Sequence, residues 1–73
     1  MKSEQETEIL KNLAEKIRLH MKAQEISNRQ LAFEIGTSEG DIRRILKGEE
    51  NPGYLKLHSI ATALNISVAD LIS

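Results

Sequence analysis

The sequence predicts an all-α fold in which five helices pack as a compact bundle. Along most of the chain, apolar residues recur every three or four positions, which is the period of a helix with one buried face. Three segments have the form Ser-x-x-Gln or Ser-x-x-Asp, a pattern typical of helix N-termini. Aromatic residues make up only 3% of the chain, and the apolar set is mainly Leu, Ile and Ala, which favours helices over strands.

The first helix is predicted from about Glu4 to Gln24. Glu15 and Arg18, three positions apart, fit the solvent-exposed face of this helix. Its predicted apolar stripe consists of Ile9, Leu10, Leu13, Ala14, Ile17 and Met21.

The second and third helices are short and nearly adjacent in the sequence. Ser27 and Gln30 predict a capping box that opens the second helix, and Gly36 suits the left-handed conformation that ends it. The capping form recurs directly after the turn, so a third helix is predicted from about Ser38 to Lys47, with Asp41 at the third position of its cap. The predicted inward residues of the two helices are Leu31, Ala32, Ile35, Ile42, Ile45 and Leu46.

The last third of the chain predicts two more helices. A loop over residues 49–53 precedes a fourth helix from about Tyr54 to Leu64. Ser67 and Asp70 form a third cap, which opens a short terminal helix. The predicted inward residues of this part are Leu57, Ile60, Ala61, Leu64, Val68, Leu71 and Ile72.

Size and composition exclude several classes of protein. The 73 residues predict one domain over residues 9–73, preceded by a polar extension or frayed helix start over residues 1–8. The absence of Cys excludes disulfides and thiolate metal sites. No apolar run approaches the roughly 18 residues that a membrane span needs, and the acidic N-terminus is unlike a secretory signal. We therefore expect a soluble, cytoplasmic, nucleoid-associated protein without a membrane partner.

Charge alone does not decide whether the protein binds nucleic acid. The net charge is −1, but the acidic residues are concentrated at the start: residues 1–8 hold three Glu and one Lys, and residues 9–73 hold nine basic and eight acidic side chains. The placement of charge on the predicted helices must therefore decide the question.

The second and third helices have the pattern of a helix-turn-helix, two short helices joined by a tight turn at Gly36 and Thr37. In this motif one helix braces against the DNA backbone and the other enters the major groove with its N-terminal end first. The predicted exposed face of the third helix carries Glu39, Gly40, Arg43, Arg44 and Lys47.

Residues 13–72, about four-fifths of the chain, resemble the lambda-repressor-like family of DNA-binding domains, also called the Cro/C1 or XRE type. The resemblance is carried by Ile26-Ser27-Asn28-Arg29-Gln30-Leu31-Ala32, by Ile35-Gly36-Thr37-Ser38, by Ile42-Arg43-Arg44-Ile45-Leu46-Lys47-Gly48, by Asn51-Pro52 and by Ile60-Ala61-Thr62-Ala63-Leu64-Asn65-Ile66-Ser67. It implies a five-helix domain whose second and third helices bind double-stranded DNA.

The resemblance also implies which residues contact DNA. They are Asn28, Arg29, Thr37, Ser38, Glu39, Gly40, Arg43, Arg44 and Lys47. Asn28 stands where the family usually has Gln and resembles a phosphate contact. Arg44 is the first candidate for reading a base, because Arg bonds guanine through two donors. Arg29, Arg43 and Lys47 are better placed for phosphates.

Several residues depart from the family pattern. Glu39 and Gly40 stand where many members have neutral hydrogen-bonding residues, and Glu49 and Glu50 fill a loop that is often basic. A carboxylate near the groove repels phosphate, although it can accept a hydrogen bond from cytosine. We therefore expect weak DNA affinity for a monomer, steeply reduced by salt.

A further departure concerns the support of the third helix. The family often pairs an Arg late in the first helix with a Glu late in the third, and these places hold Met21 and Leu46 here. Apolar residues can replace a buried ion pair without loss of stability. We therefore predict that Met21 packs on Leu46 beneath the third helix.

Each of these features also has a purely structural interpretation. Arg43, Arg44 and Lys47 could form a solvated helix face. Phe33 fits local packing better than a partner surface, and Tyr54 and Leu55 either pack within the domain or form a dimer contact.

Neither a metal nor an enzyme site is predicted. His20 and His58 lie far apart, without a third suitably spaced ligand, so a surface or half-buried histidine is the preferred interpretation. Asp41 and Asp70 have no plausible His partner, and no Gly-rich phosphate loop occurs. We expect neither catalytic residues nor a cofactor.

Two functions remain open. The first is a sequence-specific transcriptional regulator, bacterial or phage-derived, that acts as a homodimer with recognition helices one helical turn apart. Since this sequence continues into no further domain after Ser73, we expect the dimer to use the surface of the helical domain itself. The alternative is a protein-interaction module, antitoxin-like or an adaptor, which the acidic residues Glu39, Asp41, Glu49 and Glu50 support. A positive stripe along Asn28, Arg43, Arg44 and Lys47 would favour DNA.

Overall fold

The computed structural model describes residues 4–72, which form five α-helices. They are α1 (Glu4–Gln24), α2 (Asn28–Ile35), α3 (Glu39–Leu46), α4 (Gly53–Ala63) and α5 (Val68–Ile72). The predicted all-α fold is confirmed, and the predicted helix bounds lie close to the observed ones. Of the predicted N-terminal extension, residues 4–8 belong to α1, and residues 1–3 lie outside the described residues.

The serine caps explain where three of the helices begin. Ser27 Oγ accepts a hydrogen bond from Gln30 N at 3.0 Å, directly before α2. At α5 the box is reciprocal: Asp70 N donates to Ser67 Oγ at 3.2 Å, and Ser67 N donates to Asp70 Oδ2 at 3.0 Å. These bonds satisfy backbone amides that have no partner within their own helix.

The core lies where all five helices meet. Six large apolar side chains are almost completely buried, and they come from α1, α2, α3, the end of α4 and α5. They are Ile17, Leu31, Ile42, Ile60, Leu64 and Leu71. Each stabilises the fold by about 1.5–3 kcal/mol through burial, and together they hold α2 and α3 at a fixed angle.

Two residues predicted to be buried are exposed instead. Ile9 is 57% exposed and Ile72 is 66% exposed, although both fit the helical period of their faces. Both border the shallow groove between α1 and α5, at the end of the bundle where α5 stops. Periodicity gives the face of a helix but not how far the neighbouring helix extends over it.

The support beneath α3 is apolar, as the sequence predicts. Met21 is 4% exposed and Leu46 is 7% exposed, and both belong to the same buried cluster. Arg18 is exposed on α1, as predicted, and its Nη2 also donates to the backbone oxygen of Leu46. Gln24 Nε2 likewise donates to the backbone oxygen of Leu64 at 2.5 Å. Side chains of α1 thus satisfy carbonyls at the C-terminal ends of both α3 and α4.

Candidate nucleic-acid interface

The turn between α2 and α3 is built by Gly36, which has a φ of +73°. Its N–H donates back to the carbonyls at the end of α2. Glycine adopts this left-handed backbone conformation at little free-energy cost. Ser38 then caps α3, since its Oγ accepts from Asp41 N at 3.0 Å. The turn therefore presents the N-terminal end of α3 at the surface, as a helix-turn-helix requires.

Asp41 is the one charged side chain recorded as buried among the described residues, with 6% exposure. Its Oδ2 accepts from Thr37 Oγ1 at 2.6 Å and from Lys56 Nζ at 2.5 Å, and its Oδ1 accepts from Arg44 Nη2 at 3.4 Å. The carboxylate thereby joins the turn, α3 and α4. The sequence predicts Asp41 as part of a helix cap, and its contact with Lys56 was not foreseen, because Lys56 lies on another helix.

These contacts favour the ionised form of Asp41. Its pKa lies well below the usual range, because of a hydrogen bond shared with the Glu50 carboxyl and those from Lys56 and Thr37, which outweigh the opposing effect of burial. Asp41 therefore carries a fixed negative charge behind α3 at neutral pH.

The exposed face of α3 carries ion pairs that neutralise its arginines. Arg44 Nε lies 3.5 Å from Glu50 Oε1, and Arg43 Nη1 lies 3.8 Å from Glu39 Oε2. Both arginine side chains are more than half exposed, so each pair contributes little to the free energy of unfolding. Glu39, Arg43 and Arg44 occupy the surface that the sequence predicts.

The side chains of Arg43 and Arg44 lie close to Gly40 on this face. A Cβ at position 40 would lie 3.6 Å from Arg44 Nη1 and 3.8 Å from Arg43 Nη2. Both guanidinium groups therefore lie over the bare backbone of Gly40, towards the N-terminal end of α3.

A basic cleft lies beside α3, where the end of α1 meets the start of α2. Its polar lining consists of Arg18, Lys22, Asn28, Arg43 and Lys47, and its apolar lining consists of Met21, Ile26 and Leu46. No carboxylate is among these lining residues, so the cleft offers an anion several positive charges and the amide of Asn28.

The structure brings the predicted site residues together in two neighbouring groups. Asn28, Arg43 and Lys47 border the basic cleft. Around the N-terminal half of α3 lie Thr37, Ser38, Glu39, Gly40, Arg43 and Arg44. Arg29 is exposed at the start of α2, outside the cleft lining. Arg43 and Lys47 thus line the cleft, where Arg43 also pairs with Glu39, and Arg44 pairs with Asp41 and Glu50.

Sequence reasoning missed Arg18 and Lys22 as residues of this surface. Their spacing of four positions places them on one side of α1, on either side of Met21 in the sequence. That spacing, combined with the predicted position of Met21 beneath α3, could have revealed them. Glu50 and Lys56 were missed as partners of α3 because their contacts depend on how the loop and α4 fold back.

Three of the exposed large apolar side chains belong to α2 and α4. Phe33 is 86% exposed, which contradicts its interpretation as a local packing residue, because it lies on the outer side of α2. Tyr54 is 68% exposed and Leu55 is 82% exposed at the start of α4. The Tyr54 ring lies 6.2 Å from the ring of His58, one turn further along the helix.

Neither a metal cluster nor a membrane span is found within residues 4–72. No group of three or more His, Asp or Glu side chains is arranged to hold a metal ion there. None of the five described helices is both long enough and apolar enough to cross a bilayer.

Comparison with known proteins agrees with this geometry. The family model HTH_3, described as helix-turn-helix, matches residues 17–71, which include α2, α3 and the turn between them. The fold is similar to the crystal structure of the restriction-modification controller protein C.AhdI from Aeromonas hydrophila, with a TM-score of 0.82. Sequence identity is 26%, and the alignment covers 85% of this chain and 94% of that chain. A search of curated proteins gives no match.

The family match covers well over half of the chain and contains every predicted site residue. Proteins of this family are DNA-binding regulators rather than enzymes. The chain therefore belongs to the HTH_3 family, the Cro/C1-type helix-turn-helix proteins.

Proposed function

We propose that the protein is a sequence-specific transcriptional regulator that places α3 in the major groove of double-stranded DNA and acts as a homodimer. The observation that carries the proposal is the basic cleft beside α3, because its lining holds four cationic side chains and Asn28 without a carboxylate. A DNA phosphate would be held there while the N-terminal half of α3 faces the base edges.

The two groups of site residues have different roles in this proposal. Asn28 and Lys47 contact phosphate from the cleft, assisted by Lys22, and Arg29 contacts the backbone from the exposed start of α2. Ser38 Oγ uses a lone pair to accept from Asp41 N, so its own O–H is free to donate to a phosphate. Arg44 reads a base, and Glu39 exchanges its ion pair with Arg43 for contacts in the groove.

The homodimer is proposed to form through Tyr54 and Leu55. Both side chains are largely exposed at the start of α4, and an aromatic ring beside an aliphatic side chain is typical of an interface core. Because the ion pairs of Arg43 and Arg44 weaken the attraction of one domain for DNA, binding of two domains to a two-fold site would supply the missing affinity.

The similarity to a restriction-modification controller protein supports a regulator of bacterial or phage origin. Such a regulator would act at the nucleoid. Nothing in this proposal requires a cofactor.

A selection from a random-sequence DNA pool at low salt tests the proposal, with wild type and Arg44→Ala compared in parallel. Wild type is expected to enrich a two-fold motif, and Arg44→Ala is expected to lose the preference at one base pair of each half-site, at a cost of about 1–3 kcal/mol. If wild type enriches no sequence, the proposal of a sequence-specific regulator is refuted.

The alternative, a protein-interaction module, is favoured by one observation. The arginines of α3 are already paired with Glu39, Asp41 and Glu50, so part of this face is neutral rather than basic. In the same selection this alternative predicts weak binding to all sequences, with no motif even at the lowest salt concentration.

A further inference from the structure

Arg44 is held by carboxylates along one edge of its guanidinium group. Nε lies 3.5 Å from Glu50 Oε1, and Nη2 donates to Asp41 Oδ1 at 3.4 Å. Glu50 is in the loop that follows α3, and Asp41 is one turn before Arg44 on α3. The two carboxylates therefore approach the same side of the guanidinium from two different elements.

The opposite end of the guanidinium remains available. The group has five N–H donors, one on Nε and two on each terminal nitrogen. With Nε facing Glu50 and one donor of Nη2 used by Asp41, both donors of Nη1 and the second donor of Nη2 are left. A pair of donors at this end matches the O6 and N7 acceptors of guanine.

Gly40 provides the space for this orientation. Arg44 Nη1 lies only 3.6 Å from the position that a Cβ at residue 40 would occupy. A methyl group would fit there in ordinary contact, but a longer side chain would compete with the guanidinium for the same space. The free end of Arg44 therefore lies towards the N-terminal half of α3, which enters the groove first.

We propose that Glu50 is a positioning residue for Arg44. Together with Asp41, it holds the Arg44 guanidinium over the backbone of Gly40 in the orientation that reads a guanine. The inference rests on the proposed function. It gives a role in base recognition to Gly40 and Glu50, two departures from the family pattern that otherwise only weaken DNA binding. The Glu50 carboxylate fixes the Arg44 guanidinium, and its charge also repels the phosphates of DNA of any sequence.

A positioning carboxylate and a screening carboxylate change different properties of DNA binding. A screening carboxylate lowers affinity for every DNA sequence by a similar factor, because phosphate carries no sequence information. A positioning carboxylate raises the difference between guanine and the other bases at one position. The two roles therefore separate when base preference and non-specific affinity are measured independently.

The test compares wild type with Glu50→Gln, using Glu34→Gln as the matched control. Both variants replace one carboxylate by its neutral amide, but Glu34 is exposed on α2, whereas Glu50 pairs with Arg44. Each protein is used in a selection from a random DNA pool and in a titration of a fixed duplex that lacks the motif. Thermal unfolding confirms that each variant is folded.

Wild type is expected to prefer guanine at one position of each half-site by about 5- to 150-fold, the range of a bidentate contact. Glu50→Gln is expected to lose most of this preference while its affinity for the motif-free duplex stays the same or rises. Glu34→Gln is expected to keep the preference. Gly40→Gln, which fills the space beside Nη1, is expected to relax the same position as Glu50→Gln.

Two results would overturn the inference, and they are distinguishable. Suppose that wild type enriches a motif and Glu50→Gln keeps its guanine preference while binding all DNA more tightly. Glu50 then acts only by electrostatic screening, and the proposed function as a regulator remains supported. If wild type enriches no motif, Arg44 reads no base, and the proposed function fails together with the inference.

Discussion

At the scale of single residues, the most consequential side chain is Asp41. Its position in a capping pattern is visible in the sequence, because Ser38 precedes it by three residues. Its bond to Lys56 could not be predicted, because this partner is 15 residues away and approaches only after α4 has packed against the rest of the bundle. Local spacing predicts local hydrogen bonds, and a buried charge pair between helices depends on the tertiary fold.

Asp41→Asn is expected to lower the free energy of unfolding by about 1–3 kcal/mol at pH 7, because the amide cannot replace the charge-assisted bonds from Lys56 and Thr37. Urea unfolding measures the change. Glu34→Gln, at an exposed position of α2, is the control and should change stability by less than about 0.5 kcal/mol.

The difference between wild type and Asp41→Asn should depend on pH in one direction. The pKa of Asp41 is lower in the folded protein than in the unfolded chain, so its contribution is complete above about pH 5 and is lost as the pH falls through the folded value. The two unfolding free energies should therefore converge in acid. A difference that is constant from pH 7 to pH 2 would show that the Asp41 charge has no part in stability.

At the scale of helices, the sequence is most informative about where each one begins. Serine caps and glycine C-termini are local signals, and they place α2 and α3 closely enough to define the helix-turn-helix. The cleft beside α3 is harder to predict from local signals, because α1, α2 and α3 together form it. Of its polar residues, only those on α2 and at α3 were predicted as DNA contacts. Lys22 of α1 becomes part of the cleft because Met21, one residue before it, packs in the core cluster.

Lys22→Ala is expected to weaken binding to all DNA sequences to a similar degree without changing base preference, because a phosphate contact carries no sequence information. The slope of the logarithm of affinity against the logarithm of salt concentration should fall by about 0.9, the value for one phosphate contact.

Lys16→Ala is the matched control, because it removes the same charge from α1 on the side that borders α5 rather than the cleft. It should leave the slope unchanged. Equal slopes for wild type and Lys22→Ala would place the phosphate contact elsewhere.

At the scale of the whole molecule, one core holds all five helices, so the fold class follows from the apolar period and from the composition. The sequence is less informative about the surface. Phe33, Tyr54 and Leu55 are apolar, yet they are exposed, and periodicity alone cannot distinguish an exposed apolar residue from a buried one at the edge of a helix face. The same ambiguity explains the exposed Ile9 and Ile72.

Leu55→Glu is expected to shift a dimer towards the monomer and to weaken binding to a two-fold DNA site by more than tenfold, since a charge would enter the centre of an apolar interface. Sedimentation equilibrium measures the oligomeric state. Leu19→Glu, at a 65% exposed position on α1, adds the same charge elsewhere and should leave the oligomeric state unchanged. A monomeric wild type at the concentrations that bind DNA would contradict the dimer.

The three residues that bind the Asp41 carboxylate also constrain how this domain can evolve. Thr37, Arg44 and Lys56 all meet one carboxylate, and Arg44 in turn meets Glu50. A change of base preference at Arg44 would leave Asp41 and Glu50 as neighbouring carboxylates with one cation fewer between them, so an altered reader would require compensating substitutions around it. In related sequences, positions 41, 44, 50 and 56 should therefore vary as a set.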